Sequence, residues 1–327
     1  MPRAATSGSG SSTPSPRSRG NHTAAFLVRR LIRFVVVCAG VTLVTFAILH
    51  ASGDPIALMM PEAPEADRAK LRDALGLTDP LPHQFARFMG NAALGNFGKS
   101  FFHHGQPASG LVLERMPTTL TLTAASMLLA VVVAVPVGIY SAVRRNSLTD
   151  HLATGVVFLG QSMPVFWTGI MLILLFSVQW RLLPVSGWGS WASVVLPTIT
   201  LGTFTAPLLL RIVRSSMLEV VNLDYVRTAR AKGVSEWSVI LRHALKNAAL
   251  PLVTVIGLQF SLLLGGAIIT ESVFAVPGVG RLIVSAIRQL DFPVVQAGVF
   301  MLAMIVVVVN LAVDVLYVYL NPQIRLR

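Results

Sequence analysis

The chain has 327 residues, 54% of them hydrophobic and 12% charged, with a mean hydropathy of +0.70, whereas an ordinary soluble domain carries about a quarter charged residues. That composition excludes a soluble globular protein, and it turns the net charge of +12 into a question of membrane topology before nucleic acid. A single cysteine, Cys38, excludes an intrachain disulfide framework or a cysteine metal cluster.

Residues 1–23 are rich in Ser, Pro, Gly and Thr, with almost no large apolar side chain, and are expected to form a disordered cytoplasmic tail. Six stretches without Asp, Glu, Lys or Arg follow, at 34–53, 116–143, 152–180, 182–210, 247–270 and 292–313. Each has close to the 20 or so apolar residues that a helix needs to cross a bilayer. None alternates strictly between apolar and polar residues, as a barrel strand would. The fold class is therefore all-α and polytopic. One transmembrane domain is expected over 24–327, with spans at about 26–50, 116–143, 152–178, 194–213, 249–271 and 294–319. The residues after the first apolar run, Leu49, His50 and Ala51, match a signal cleavage site poorly, so the first span reads as uncleaved. Six spans put both termini on one side, and that side holds 17 of the 26 Lys and Arg residues. The positive-inside rule then makes both termini cytoplasmic, and the basic balance reads as topology with no nucleic-acid partner.

The segment 51–115 is expected outside. Its two amphipathic stretches, 65–75 and 83–89, read as a cap lying at the membrane interface. Gly98-Lys99-Ser100 resembles the end of a phosphate-binding loop, but that motif needs a glycine where Ala93 stands, as well as a preceding strand. His103 and His104 are adjacent and lack a third ligand, and Ser186 lacks the flanking glycine pattern and a base, so no metal and no catalysis are expected.

The third span contains Gln161, Ser162 and Pro164, where proline removes a helix hydrogen bond. The fifth contains Gln259 and Ser261 beside the small residues Gly257, Gly265 and Gly266. Polar groups in apolar helices line a solute path or join helices by hydrogen bonds, and the sequence leaves both open for Gln161, Ser162, Pro164, Gln259 and Ser261. Asp314, late in the last span, reads as a structural ion pair or hydrogen bond more readily than as a proton relay.

Between spans four and five, residues 214–248 read as helix, turn, helix. Asp224 suits an N-cap, Tyr225 to Lys232 form the helix, and Gly233 suits the left-handed position that ends it. Ser235 would cap a second helix from Glu236 to Ala249. Eight helical residues are only about 12 Å long, which suits docking better than scaffolding. Ala229 and Ala231 are small enough for close approach to a partner, and Arg227, Arg230 and Lys232 could pair with acidic residues there.

The run Asp224-Tyr-Val-Arg-Thr-Ala-Arg-Ala-Lys-Gly233, followed by Arg242 to Pro251, closely resembles the dipeptide/oligopeptide/nickel family of ABC importer permeases. Further likenesses are Gly53-Asp-Pro55, Leu75 to Pro80, Met163 to Trp167, Pro184 to Gly187, Glu271 to Arg281, Phe292 to Gln296 and Asn321-Pro322. The resemblance implies a six-helix bundle like that of type I ABC importer permeases and a role as the permease subunit of an ATP-driven importer of small peptides or related solutes. It implies a bacterial inner-membrane location, a second homologous permease, two ATPase subunits and an external solute-binding protein. This chain would bind no cofactor, with ATP and Mg held by the ATPases. In the wider class the cytoplasmic loop carries a Glu-Ala-Ala-x-x-x-Gly signature that docks on the ATPase. Here Arg227 stands at the glutamate and Thr228 at the first alanine, while Ala229 and Gly233 match. The coupling role therefore falls on Asp224, Tyr225, Arg227, Thr228, Ala229, Arg230, Ala231, Lys232 and Gly233. The external motif is Glu271, Pro277, Gly278 and Gly280. The other reading, a secondary transporter or channel, would call for several intramembrane ionisable groups or an inverted repeat, and the sequence offers one late aspartate and no repeat. The solute, whether dipeptide, oligopeptide, glutathione or nickel chelate, is not legible.

Overall fold

The computed structural model describes residues 32, 35–48, 50–51, 53–54, 56–57 and 60–320. The expected tail at 1–23, the first part of the first span and residues 321–327 lie outside the described residues, as does the side chain of Asp314. In chain order the helices are α1 (Val35–Ile48), α2 (Glu65–Ala74), α3 (Leu81–Ala93), α4 (Ala108–Val143), α5 (Leu148–Leu159) and α6 (Val165–Leu172). Then come α7 (Trp191–Val220), α8 (Asp224–Ala231), α9 (Leu245–Val273), α10 (Val279–Arg288) and α11 (Phe292–Leu320). Among the described residues the only bridge between extended segments joins Lys99 to Pro107. Segments within α4, α7, α9 and α11 are long and apolar enough to cross a membrane; α1, α5 and the run Val165–Gln179 are shorter apolar helices.

The third expected span, 152–178, is two helices and not one kinked helix. The chain leaves α5 at Gly160 and restarts at Pro164, which occupies the N-cap position of α6 with φ −58° and ψ 138°. Proline has no N–H to donate and pushes the preceding residue out of the helical region, so the break falls where the sequence places it. A β-carbon at Gly160 would lie 2.8 Å from the carbonyl oxygen of Thr203, so the break packs against the middle of α7. After Leu172 the helix continues as a π-helical stretch, Ile173–Gln179.

The core is built on α4 and α7, with α9 against both. Gly138 of α4 faces Val213 of α7, where a β-carbon would come within 2.8 Å of the valine side chain. Gly202 of α7 faces α4, where a β-carbon would lie 3.0 Å from Leu129. Lipid is as apolar as leucine, so tight backbone approach at such small residues is what favours helix contact over lipid contact. Leu122, Met127, Ala134, Leu209, Leu210, Val213, Leu263 and Ala267 fill the space between the three helices. Of the glycines in the fifth span, Gly257 meets Val313 of α11 at 2.2 Å from a built β-carbon, whereas Gly265 has open space around it.

The segment before α4 folds over one end of the bundle. Only α3 packs, placing Phe85 5.5 Å from Phe46 of α1 in an edge-on contact; α2 buries no residue. Arg72 ties α2 to the stretch that follows α1 by a hydrogen bond to Asp54 at 3.0 Å, and bonds Glu65 within α2 at 2.6 Å. A second apolar cluster joins the N-terminal end of α4 (Leu111, Val112, Met116) to α10 (Leu282, Ile283, Ala286) and the start of α11 (Val294, Val295).

Replacing Gly138 with leucine should force α4 and α7 apart, since the backbone oxygen of Leu210 also lies within 3.2 Å of the built β-carbon. The expected cost is about 1–3 kcal/mol, read as a lower melting temperature of the detergent-purified protein by intrinsic fluorescence; Gly265→Leu, made in open space, should shift it little.

Candidate functional site

The helix-turn-helix between spans four and five is present, with corrections to how its parts are used. The N-cap of α8 is Leu223; Asp224 is the first helical residue, fully exposed, and makes no side-chain cap. Its negative charge still favours the positive end of the helix dipole. Gly233 has φ +76°, with open space where a side chain would project, so its glycine is required by backbone conformation alone. Ser235 precedes a short helical turn, Glu236–Ser238, without a side-chain cap, and the chain passes through the π-helical Val239–Ala244 into α9.

The two faces of α8 have separate contacts. Val226 and Ala229 are buried against Val239, with Val220 and Val234 alongside. Ala229 was expected to admit a partner; it faces the returning chain instead, because positions 226 and 229 lie on the same side of a helix. Arg230 was expected to reach acidic groups elsewhere, but it forms a two-pronged pair with Glu236, at 3.0 Å from Nε and 2.7 Å from Nη2. That guanidinium holds the Glu236 carboxyl below the usual carboxylate range, outweighing the opposing effect of desolvation. Tyr225 accepts a hydrogen bond from Asn247 Nδ2 at 2.8 Å and donates to the His243 carbonyl at 3.3 Å, pinning α8 to the entry of α9. Asp224, Arg227, Thr228, Ala231 and Lys232 are left on the exposed face, with Arg227 72% exposed.

The hairpin hangs from α7, and the end of α7 is fixed by an ion pair that sequence reasoning passed over. Asp150, 1% exposed, accepts hydrogen bonds from Arg214 Nη2 at 2.9 Å and from the Asn146 amide at 3.1 Å. Ser147 caps α5 by accepting from the Asp150 amide. The one local signal was Ser147, three residues before Asp150 at the start of an apolar run.

At the other end of the bundle three of the four residues of the expected external motif, Glu271, Gly278 and Gly280, come together. Glu271, at the end of α9, is fully buried and accepts hydrogen bonds from Thr119 Oγ1 at 2.6 Å and from the Arg281 amide at 3.0 Å. Thr119 Oγ1 in turn accepts from the Val279 amide at 2.9 Å. These amides open α10, whose N-cap, Gly278, offers no side chain. A carboxylate and a hydroxyl from two other helices therefore do the capping, with the negative charge at the positive end of the α10 dipole. A β-carbon at Gly278 would lie 2.1 Å from Glu271 Oε1, and one at Gly280 2.6 Å from the Ile268 Cα. Gly278 has an extended backbone, φ −97°, so its glycine is a matter of space. Pro277 is exposed at the turn. Thr119 had not been singled out, as nothing local distinguishes it from its neighbours.

The remaining expected site residues fall in two places. Gln161, Ser162 and Pro164 are exposed at the break between α5 and α6, where Ser162 Oγ donates to the Phe158 carbonyl at 3.2 Å. Gln259 and Ser261 are partly buried on α9, where Ser261 Oγ lies 3.4 Å from Asn310 Oδ1 of α11. Among the described residues no hydrogen bond joins the two groups. The Gly98-Lys99-Ser100 stretch forms no phosphate cradle: Ser100 is buried and donates to Asp291 Oδ2 at 2.5 Å, with His103 Nδ1 3.0 Å from the same hydroxyl.

The site elements are thus a helix broken between Gly160 and Pro164 and a hairpin, α8 and the start of α9, pinned by its own side chains. The chain belongs to the family of binding-protein-dependent transport system inner membrane components, whose description matches residues 134–326, with the family's N-terminal component matching residues 23–123. It is a multi-pass inner-membrane permease subunit of an ABC importer, a class in which ATP hydrolysis lies in separate subunits. It is 42% identical over 335 residues to the dipeptide transport system permease protein DppB of Escherichia coli K12, covering 92% of this chain and 98% of that protein. To the glutathione transport system permease protein GsiC of the same strain it is 41% identical over 306 residues, covering 92% and 99%. A structure of the MetNI methionine ABC transporter, in an inward-facing conformation, shares the fold with a TM-score of 0.53 at 21% identity, covering 64% of this chain and 96% of that one.

Two outcomes are expected. Glu271→Ala strands the Thr119 hydroxyl and the Arg281 amide, which should lower stability by about 1–3 kcal/mol, measured as thermal unfolding of the purified protein. Because the Glu236 carboxyl titrates below its ordinary value of about 4.3, the Arg230 pair contributes fully above that pH and is lost as pH falls through the depressed value. Hydrogen exchange across 224–249 should thus match at pH 7 and pH 5, after correction for intrinsic rates, and rise only below about pH 4.

Proposed function

We propose that this subunit carries small peptides or peptide-like solutes through the membrane and that α8 is where it receives the ATPase stroke. The single observation that carries the coupling role is the division of α8 into a side held by its own chain, through buried Val226 and Ala229 and the hydrogen bonds of the exposed Arg230 and Tyr225, and an exposed side of Asp224, Arg227, Thr228, Ala231 and Lys232. A short helix held rigidly by its own chain and projecting beyond the spans transmits displacement without deforming. Its exposed Arg227 and Lys232 suit an acidic groove on an ATPase.

The solute class rests on the likeness to the dipeptide and glutathione permeases. Such a permease works with a second, similar permease, two ATPases carrying ATP and Mg, and an external solute-binding protein, with both of its termini cytoplasmic. Support for a solute path at Gln161, Ser162 and Pro164 comes from the break itself. Non-helical backbone at membrane depth is tolerated only against protein or beside a water-filled cavity, and this one is exposed in the single chain at the level of Thr203, midway along α7. A path between this chain and its partner permease meets that requirement. Gln259 and Ser261 are assigned to the same path, with Ser261 also serving the contact with α11.

Ala231→Trp adds bulk on the exposed face with no change of charge. Import of labelled dipeptide into vesicles should fall at least about tenfold, equivalent to 1.4 kcal/mol, with the permease still inserted and its exchange protection at 226–239 intact. Unimpaired import would remove α8 from the coupling interface. A basic loop held on anionic head groups would tolerate this substitution and lose function on Arg227→Ala and Lys232→Ala instead.

A further inference from the structure

Two cavities open where α1 leaves the membrane, and they share Phe46 and His50 as a common wall. The first, about 540 Å³, is lined by Leu43, Ala47, Leu81 and Phe85 and is apolar but for His50. Its rim residues Leu43 and Leu81 are exposed, so it opens sideways between α1 and α3. The second, about 560 Å³, lies under the extramembrane segment and is polar along one side, with Arg87, Asn91, Asn96, Lys99 and Gln296. Among the described residues no Asp or Glu lines either cavity.

The charge of the polar chamber is positive. Arg87 is paired with Asp79 at 2.9 Å, but Lys99 is exposed and has no ion pair among the described residues. His50 stands between the chambers with Nδ1 2.9 Å from the Phe46 carbonyl and Nε2 3.0 Å from Gln84 Oε1. The Gln84 amide cannot turn round, because its nitrogen already donates to the Leu77 and Asp79 carbonyls at 3.0 Å and 2.8 Å. Both histidine nitrogens therefore face oxygen atoms, and the ring is held in place between the two chambers. An apolar slot at the hydrocarbon boundary beside a cationic, amide-lined chamber in the headgroup zone is complementary to an amphiphile with one negative charge. A short peptide would leave the apolar slot empty.

We infer that this two-chambered cleft holds an anionic phospholipid, with one acyl chain between α1 and α3 and the phosphate beside Lys99. The bound lipid would fasten the extramembrane segment to α1 and fill space that the protein's own side chains leave open.

The test uses the complete importer in nanodiscs containing trace phosphatidylglycerol or phosphatidylcholine with a diazirine in one acyl chain, followed by peptide mapping after illumination. Phosphatidylglycerol should label residues 43–51 and 81–89 several-fold more than phosphatidylcholine does. Ala47→Trp, which fills the apolar chamber, should abolish that preference. Lys99→Ala removes one headgroup charge, worth about fivefold in occupancy, and should lower phosphatidylglycerol labelling by that factor while leaving phosphatidylcholine labelling unchanged. Should Ala47→Trp prevent assembly, Leu81→Trp fills the slot from its exposed rim. Labelling that is no stronger here than along α7, or that is unaffected by both a slot-filling substitution and Lys99→Ala, would overturn the inference. Loss of the label to an excess of dipeptide would overturn it too, by making the cleft a solute site.

Discussion

The approach of α4 and α7 at Gly138 and Gly202 sets the position of both ends of the molecule. In a bilayer, apolar attraction gives no preference for helix over lipid, so two long helices stay together by fitting closely, and a β-carbon at either glycine would meet its neighbour at 3.0 Å or less. Each helix of the pair then carries a functional attachment at one end. α4 bears Thr119, which bonds Glu271, and α7 bears Arg214, which pairs with Asp150 of α5. α8 follows directly on α7 in the chain, and α7 is seated on the helix that bears Thr119 of the Glu271 unit.

Both attachments follow the same physical logic. A buried carboxylate is stable only when its oxygens are hydrogen-bonded or paired. Glu271 meets this at both oxygens, with Thr119 and the Arg281 amide of α10, and Asp150 meets it at Oδ2, with Arg214 and a backbone amide. The charge in each case joins elements that are far apart in the chain: 64 residues for Asp150 and Arg214, and 152 for Thr119 and Glu271. Acids that are expensive to bury hold together the parts that must keep their relative orientation. The break at Gly160 to Pro164 is the opposite case, a stretch whose amides at Gly160, Gln161 and Ser162 are satisfied locally, by the carbonyls of residues 157–159, and which is joined to no distant charge.

Much of this architecture is legible in the order of residues. Charge-free stretches of about 20 residues specify membrane helices because lipid offers no partner for backbone groups. Pro164 specifies the end of one helix and the start of another, and Gly233 marks a left-handed turn, because these constraints act within a residue or two of their cause. The similarity in motifs extended that reading to a permease that takes its energy from another subunit.

What only the tertiary structure decided was the direction and partner of each side chain. Asp224 looked like a cap, and Leu223 holds that position. Ala229 looked like a contact for another subunit and is packed against Val239, while Arg230 spends its charge on Glu236 within the same hairpin. The sequence marked Glu271 and its glycines as a motif, yet the reason for Gly278 is the space taken by a carboxylate from another helix. Local patterns register conformational preference, which is a property of neighbouring residues. The pairing of a lone charge depends on which distant atoms the packed helices bring within 3 Å, and no local pattern records that distance.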